Sequence, residues 1–346
     1  SYRPKMASRA LQPRKYSDLG VFVKAQILTK SKPPHASVSF AGQTAIITGS
    51  NVGIGLETCR QMLKRGLSHL VMGVRSTAKA ESEASILRKS HPKAVIDVWP
   101  LDMNSYKSIQ DFASRSASAL SSLDIVILNA AVFNSQWKMS PTGHEETLQV
   151  NYLSTALLAI LFLPLLKAKS STGHPGRLMI ASSNVAINTT FPSQGAVPLL
   201  PSFDNQEYYG NYYNRYAVSK MLVVMLTDKL SELVRPEDVI INTVDPGYTS
   251  GSDLHRSFSG GLSVMFSTLK TLTARTPEQA AWLYLDAVAV KGPESHGGYL
   301  MNSELCPFNP LMYTSEGKAS EERLWDETLK ELEFADAEKL IKSMTA

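Results

Sequence analysis

Cysteine is nearly absent: Cys59 and Cys306 are the two in 346 residues, far apart and in no Cys-x-x-Cys pair. They cannot build a disulfide framework, and this usage fits a reducing compartment, so a cytoplasmic location is expected. Histidine is sparse as well, seven residues without His-Glu-x-x-His or similar spacing, and no metal site is expected. An excess of one charge is missing. Lys and Arg total 35 against 31 Asp and Glu, a net +4. No Lys/Arg block is interleaved with aromatics, which argues against a nucleic-acid partner. Long apolar runs are missing too. The longest, Ala156 to Leu166, is interrupted by Pro164 and falls short of the roughly 20 residues of a bilayer span. It reads as a buried core helix, and no transmembrane segment is expected. The first 18 residues are basic and polar without an apolar signal region, so no signal peptide is expected. The opening at Ser1 with Met6 close behind marks Ser1–Lys5 as a candidate expression remnant. No repeat stands out at periods of about 20–50 residues.

What is present is an ordinary globular composition, 43% hydrophobic and 19% charged. It suffices for one large α/β domain or two small ones. From Thr44 short β-rich runs alternate with longer helical patterns. Strands are predicted at 44–48, 69–74, 95–99, 124–128, 177–182, 239–244 and 298–301. Helices are predicted near 54–65, 77–90, 105–121, 143–168, 214–234 and 276–290. Thr276-Pro277-Glu278-Gln279 carries a Thr cap, a first-turn Pro and a Gln three residues after the cap. Strands alternating with helices imply βαβ units, and continuous apolar strands such as Ile125-Val126-Ile127-Leu128 imply a parallel sheet covered on both faces. The expected fold is therefore α/β, a Rossmann-type doubly wound parallel sheet of about seven strands, in a single domain with lid insertions. Residues 1–40 read as an N-terminal extension set off by Lys32-Pro33-Pro34, with a short helix at Leu19–Leu28. Residues 41–305 read as the catalytic domain. Two irregular segments interrupt it, an aromatic insertion at 186–213 and a substrate loop at 250–274; such segments are usually functional. Residues 306–346 read as a helical tail, with its pattern at Glu321–Phe334, packed on the outside.

The first strand runs into Thr48-Gly49-Ser50-Asn51-Val52-Gly53-Ile54-Gly55 and then a helix. Glycines at such a turn let the backbone approach a pyrophosphate, and the helix N-terminus offers free N–H groups and the positive dipole end. The spacing is Thr-Gly-x-x-x-Gly-x-Gly rather than Gly-x-Gly-x-x-Gly. Further along come Asn129-Ala130-Ala131 after the fourth strand, Asn151 within a helix, Ser183 at the end of the fifth strand, Tyr216-Ala217-Val218-Ser219-Lys220, and Asp245-Pro246-Gly247-Tyr248-Thr249 after the sixth strand. In this order, over about residues 41–302, the chain resembles the short-chain dehydrogenase/reductase family, especially its NADP-dependent retinol-dehydrogenase-like and fungal members. The fungal likeness points to secondary metabolism.

The resemblance implies a catalytic tetrad of Asn151, Ser183, Tyr216 and Lys220. Ser182 adjoins Ser183, and counting along the strand favours Ser183. Tyr216 and Lys220, at i and i+4, share a helix face, and Tyr216 is the one Tyr of its cluster with a Lys at that spacing. A neighbouring ammonium is expected to favour phenolate and lower the Tyr pKa towards working pH. Ser183 can hydrogen-bond a substrate carbonyl while Tyr216 gives the proton. By resemblance, Lys220 binds the nicotinamide ribose and Asn151 holds a relay water. The family's cofactor contacts fall on Thr48, Gly49, Ser50, Asn51, Gly53, Ile54 and Gly55, on Asn129 and Ala130, and on Pro246, Gly247 and Thr249. Asp102, with Met103 beside it, matches the residue that meets the adenine; a loop cap is its rival reading. The second strand ends Val74-Arg75, where a carboxylate would bind the ribose of NAD. An Arg there can pair with a 2′-phosphate, so NADP(H) is the expected cofactor.

The expected function is hydride transfer between NADP(H) and the ketone or aldehyde of a lipophilic small molecule, in the reductive direction. Phe191, Phe203, Tyr208 and Tyr209 of the insertion, and Leu254, Phe258, Leu262, Met265 and Phe266 of the later loop, are expected to shape an apolar pocket. Reduction of an activated C=C bond is one alternative, and a cofactor-binding scaffold without turnover is another. Short-chain reductases commonly pair through the helices that match 143–168 and 214–234 here. The 143–168 helix is apolar all round and must be covered, by a second subunit, by the insertion or by the N-terminal extension. A monomer or a homodimer is expected.

Overall fold

The computed structural model describes residues 7–14, 20, 29, 31–171, 173–250 and 274–345. The expected Leu19–Leu28 helix, the apolar residues of the 250–274 loop and Ser1–Lys5 lie outside the described residues. In chain order come β1 (Thr44–Thr48), α1 (Gly53–Lys64), β2 (His69–Val74), α2 (Thr77–Ser90), β3 (Val95–Pro100), α3 (Tyr106–Ala119), β4 (Ile125–Leu128), α4 (Glu146–Lys169) and β5 (Gly176–Ala181). Then follow α5 (Tyr212–Leu233), β6 (Val239–Asp245), α6 (Pro277–Leu285), β7 (Gly298–Met301), β8 (Glu304–Cys306), α7 (Ser315–Glu331) and α8 (Ala337–Thr345).

The strands form one sheet of eight, ordered β3-β2-β1-β4-β5-β6-β7-β8. All neighbours are parallel except β7 and β8, which form a hairpin. The sequence reading thus falls one strand short. Asn302 and Ser303 join the hairpin with φ of 56° and 63°, the two positive values that a tight two-residue turn requires. The pair is Asn-Ser instead of the telltale Asn-Gly, and β8 has three residues, too few to alternate visibly.

Side chains alternate across the sheet. Ile46 faces a core with α3, α4 and α5, while Ala45 and Ile47 face a second core with α1, α2 and α6. Both faces are covered, which is why the strands are apolar without alternation. Helix α4 is long and apolar enough to cross a membrane by composition, yet most of it is buried inside the protein.

The tail is more than an outer attachment. Leu324, Trp325, Ile341 and Met344 are buried in the first core; α8 packs on α4, and α7 on α5. Tyr152 of α4 hydrogen-bonds Thr328 of α7 at 2.8 Å. The insertion is bound to this tail in turn. Leu199 and Leu200 N–H groups donate to the Glu327 carboxylate at 2.8 and 2.6 Å, and Arg323 donates to Ala196 O at 2.7 Å. Phe191 stacks on Phe203 at 5.8 Å, and Phe203 meets Tyr209 at 5.3 Å. These three rings are buried and pack the insertion itself. Tyr208 alone of the four aromatics is exposed.

Candidate active site

The site lies along the C-terminal ends of the central strands, where parallel sheets place ligands. After β1 the chain turns at Gly49 with φ 65° and enters α1 at Gly53 with φ 58°. A Cβ on Gly55 would sit 2.5 Å from Gly49 O and 2.7 Å from Asn129 Nδ2, so no other residue fits. Helix α1 begins after Val52 without a side-chain cap and without an acidic residue in its first turn. Its leading N–H groups therefore point outward for an anion.

Several residues expected at the cofactor turn their side chains inward. Thr48 Oγ1 accepts from the Asn129 and Ala130 N–H groups, both at 3.0 Å. Asn129 Nδ2 donates to Thr48 O and Gly49 O at 3.0 and 3.2 Å, and its Oδ1 accepts from Tyr284 at 3.2 Å. Ser50 Oγ donates to Ile47 O at 2.9 Å. These side chains lock the glycine turn to β4 and leave their backbones to face a ligand. Asp102 Oδ1 accepts from Asn104 N–H at 3.0 Å, and the side chain that caps α3 is Ser105 rather than Asp102. Met103 is buried. Arg75 is exposed just beyond buried Val74. Asn51 and Ile54 are half-buried on the turn and first helical residues.

Asn151 sits in a widened turn, Gln149–Leu153, inside α4. Its Oδ1 accepts from Val132 N–H at 2.8 Å, and its Nδ2 donates to Val132 O and Ser219 Oγ, both at 2.9 Å. The apolar pattern gives no hint of this widening, a feature frequent at functional sites. Ser182 and Ser183 separate cleanly. Ser182 Oγ donates to Lys220 O at 3.0 Å, whereas Ser183 hydrogen-bonds the Tyr216 side chain. Lys220 Nζ donates to Ala181 O at 2.9 Å and lies 5.8 Å from the Tyr216 ring centre.

The electrostatics differ from the sequence expectation. Burial pushes Lys220 down to about 7. Burial also pushes Tyr216 up, the Asp245 charge adds to this, and the Ser183 bond opposes it. Both groups are desolvated, and desolvation penalises phenolate and ammonium alike. Beyond β6, Gly247 turns with φ 75°, Thr249 Oγ1 donates to Gly247 O at 3.0 Å, and Pro246 O accepts from Arg275 at 3.2 Å.

Three residues near Tyr216 were not legible as site residues. Phe133 packs on the Tyr216 ring at 4.5 Å. Arg215, buried just before Tyr216, donates to Tyr209 O and Asn134 O, both at 2.9 Å, and to Gln136 O at 3.1 Å. Its partner Glu145 lies 3.2 Å away and caps the start of α4. The charges of this pair sit at unremarkable sequence positions, so only the three-dimensional contacts reveal them.

Comparison with known proteins finds relatives along most of the chain. Residues 43–196 match the family model for short chain dehydrogenase. The short chain dehydrogenase/reductase mfmJ of Annulohypoxylon moriforme is 48% identical over 324 residues, covering 93% of this chain and 94% of that relative. The short chain dehydrogenase virL of Hypocrea virens is 42% identical over 319 residues, 91% of this chain and 92% of that one. Among solved structures, a short chain dehydrogenase of Burkholderia cenocepacia in complex with NADP superposes with TM-score 0.58 at 19% identity, over 75% of this chain and 96% of that one. One from Escherichia coli complexed with NADPH gives TM-score 0.58 at 21% identity, over 78% and 100%. At such identities the structures speak for the fold.

Proposed function

The chain belongs to the short-chain dehydrogenase/reductase family, and from that premise we propose that it is an NADPH-dependent reductase acting on the ketone or aldehyde of a lipophilic small molecule. The observation that carries this reading is the meeting of Ser183, Tyr216 and Lys220 at the strand ends beside the uncapped start of α1. The glycine turn fits a dinucleotide, because a side chain at Gly55 would collide with the turn's own backbone. When bound, the nicotinamide cofactor supplies the hydride. Exposed Arg75, following buried Val74, would receive the 2′-phosphate. Two structural neighbours hold NADP or NADPH, which supports the same choice.

The chain's residues then handle the proton. Ser183 and Tyr216 present two adjacent hydroxyls that can both bond one carbonyl oxygen as negative charge develops there. A phenol held in its protonated form is a donor ready for that oxygen. Lys220 is anchored by one N–H on Ala181 O, within 5.8 Å of the Tyr216 ring centre. Asn151, fixed by three hydrogen bonds, holds the start of α4 against α5 and keeps the loop after β4 in place. Cellular NADPH is mostly reduced, so the reductive direction follows. The test is NADPH consumption with a panel of lipophilic ketones and aldehydes, run in parallel with NADH, followed by product analysis. Alcohol products with a preference for NADPH support the proposal. Saturation of an activated alkene without carbonyl reduction, or tight cofactor binding with no turnover on any substrate, would overturn it.

A further inference from the structure

Phe133 stands between two pinned residues. On one side, Val132 is held at its N–H and its carbonyl by the Asn151 side chain, at 2.8 and 2.9 Å. On the other, Asn134 O accepts from Arg215 Nη2 at 2.9 Å, and Gln136 O accepts from the same nitrogen at 3.1 Å. The ring between these anchors lies 4.5 Å from the Tyr216 ring. Arg215 adjoins Tyr216 on α5 and is 4% exposed. Its Nη1 donates to Tyr209 O at 2.9 Å, so one guanidinium joins the loop after β4 to the end of the insertion. The Trp137 ring centre of that loop lies 5.2 Å from the guanidinium carbon, and Nε lies 3.2 Å from the buried Glu145 carboxylate.

A buried ion pair is a costly way to fill space, and apolar residues of similar volume often serve as well. Glu145 has other donors for its capping role, the Thr147 and Leu148 N–H groups at 2.8 and 3.2 Å. An apolar residue could not satisfy three carbonyls from two segments, and the compact ammonium of a lysine lacks the rigid planar fork that spans them. The need for arginine therefore lies in those carbonyls.

We propose that Arg215 is a positioning residue of the reaction, which holds the backbone of residues 134–136 so that Phe133 packs on the Tyr216 ring and fixes the direction of the Tyr216 hydroxyl. This rests on the functional reading above. Reacting groups must be held within about 0.5 Å and roughly 10–20° of the productive geometry by packed neighbours. Helix α5 fixes the Tyr216 backbone, but its ring torsion is broad unless a neighbour limits it. Phe133 supplies that limit, and Arg215 acts through Phe133.

The test is a double-mutant cycle between the two residues in the full chain, read on NADPH-dependent reduction of a carbonyl from the panel above. Arg215→Met combined with Glu145→Gln removes both charges and keeps an acceptor for the cap, so no unpaired charge is buried. With its fold confirmed by circular dichroism, this variant should lose about tenfold or more in kcat, the scale of a misplaced reacting group, while the NADPH Kd stays nearly unchanged. Phe133→Leu alone should lower kcat by about tenfold as well. Adding the Arg215 and Glu145 substitutions to Phe133→Leu should then cost about twofold or less, because the contact they act through is already gone. Wild-type kcat in the folded Arg215→Met/Glu145→Gln variant overturns the proposal, and so do losses that multiply in full when the variants are combined. Wild-type kcat in Phe133→Leu overturns it whether or not the Arg215 variants fold. A further readout needs no turnover: the NMR shifts of the Tyr216 ring, assigned through Tyr216→Phe and displaced by the neighbouring Phe133 ring. Arg215→Lys should move them towards their values in Phe133→Leu, and unmoved shifts overturn the proposal. Should no carbonyl be reduced at all, the functional reading fails while the Tyr216 shifts still decide what Arg215 holds in place.

Discussion

Tyr216 has its ring packed on Phe133 and its hydroxyl on Ser183. Removing only the oxygen keeps the first contact and abolishes the second. Tyr216→Phe should therefore lower kcat by about 100-fold or more while the NADPH Kd, measured by fluorescence titration, stays nearly unchanged. Retention of more than a small fraction of activity would remove Tyr216 from its role. Arg75 is a different kind of residue, exposed and in no ion pair among the described residues. Its deletion costs the fold little. Arg75→Ala should raise the NADPH Kd about tenfold or more, the scale of a lost charge-assisted pair, and leave the NADH Kd within about twofold. Equal wild-type affinities for the two cofactors would sink this assignment.

The elements were largely legible because a doubly covered parallel sheet writes itself as apolar runs. β1, β2 and β7 begin and end where the sequence places them. Legibility failed where geometry departs from regular periods. The hairpin to β8 uses Asn-Ser, and the widened turn at Asn151 hides within an apolar helix that reads as continuous. It failed again for contacts between segments distant in sequence. Arg9 from the N-terminal segment donates to Asp228 of α5 and to Glu321 of α7, a junction of three elements that no local pattern announces. Burial pushes the Glu321 carboxyl up, the adjacent Asp228 charge adds to it, and Arg9 opposes it; burial pushes Asp228 up as well. The folded state therefore retains a proton that the unfolded chain has lost. That contribution is present below the ordinary carboxylate range and is lost as pH rises through the elevated folded value. The melting temperature should accordingly decline between about pH 5 and pH 8, and Glu321→Gln should flatten the decline and melt higher than wild type at pH 8. Parallel curves for the two proteins would remove the pair as its source.

On the scale of the whole molecule, the tail decides what the surface can be. From its sequence, α4 needs a cover from a second subunit, the insertion or the N-terminal extension. The structure instead lays α8 on α4 and α7 on α5, with the insertion bound to α7. The packing of the tail is hard to read in sequence because its apolar residues are spaced among many charges, as in Ser315–Glu331, where Leu324 and Trp325 are buried beside exposed glutamates. With both helices covered from within, sedimentation at micromolar concentration should show a monomer. A tetramer joined through α4 and α5 would contradict this. Removing residues 311–345 should leave that apolar surface bare and drive the chain into aggregates, read by light scattering.

The same arrangement has a consequence for biosynthesis. During translation the ribosome delivers α4 and α5 long before α7 and α8, and much of the first core stays unroofed in the meantime. The nascent chain passes through an interval in which its most oily helix is complete but unprotected. Chaperone occupancy on translating ribosomes should rise after α4 emerges and fall only once residues 315–345 have cleared the exit tunnel.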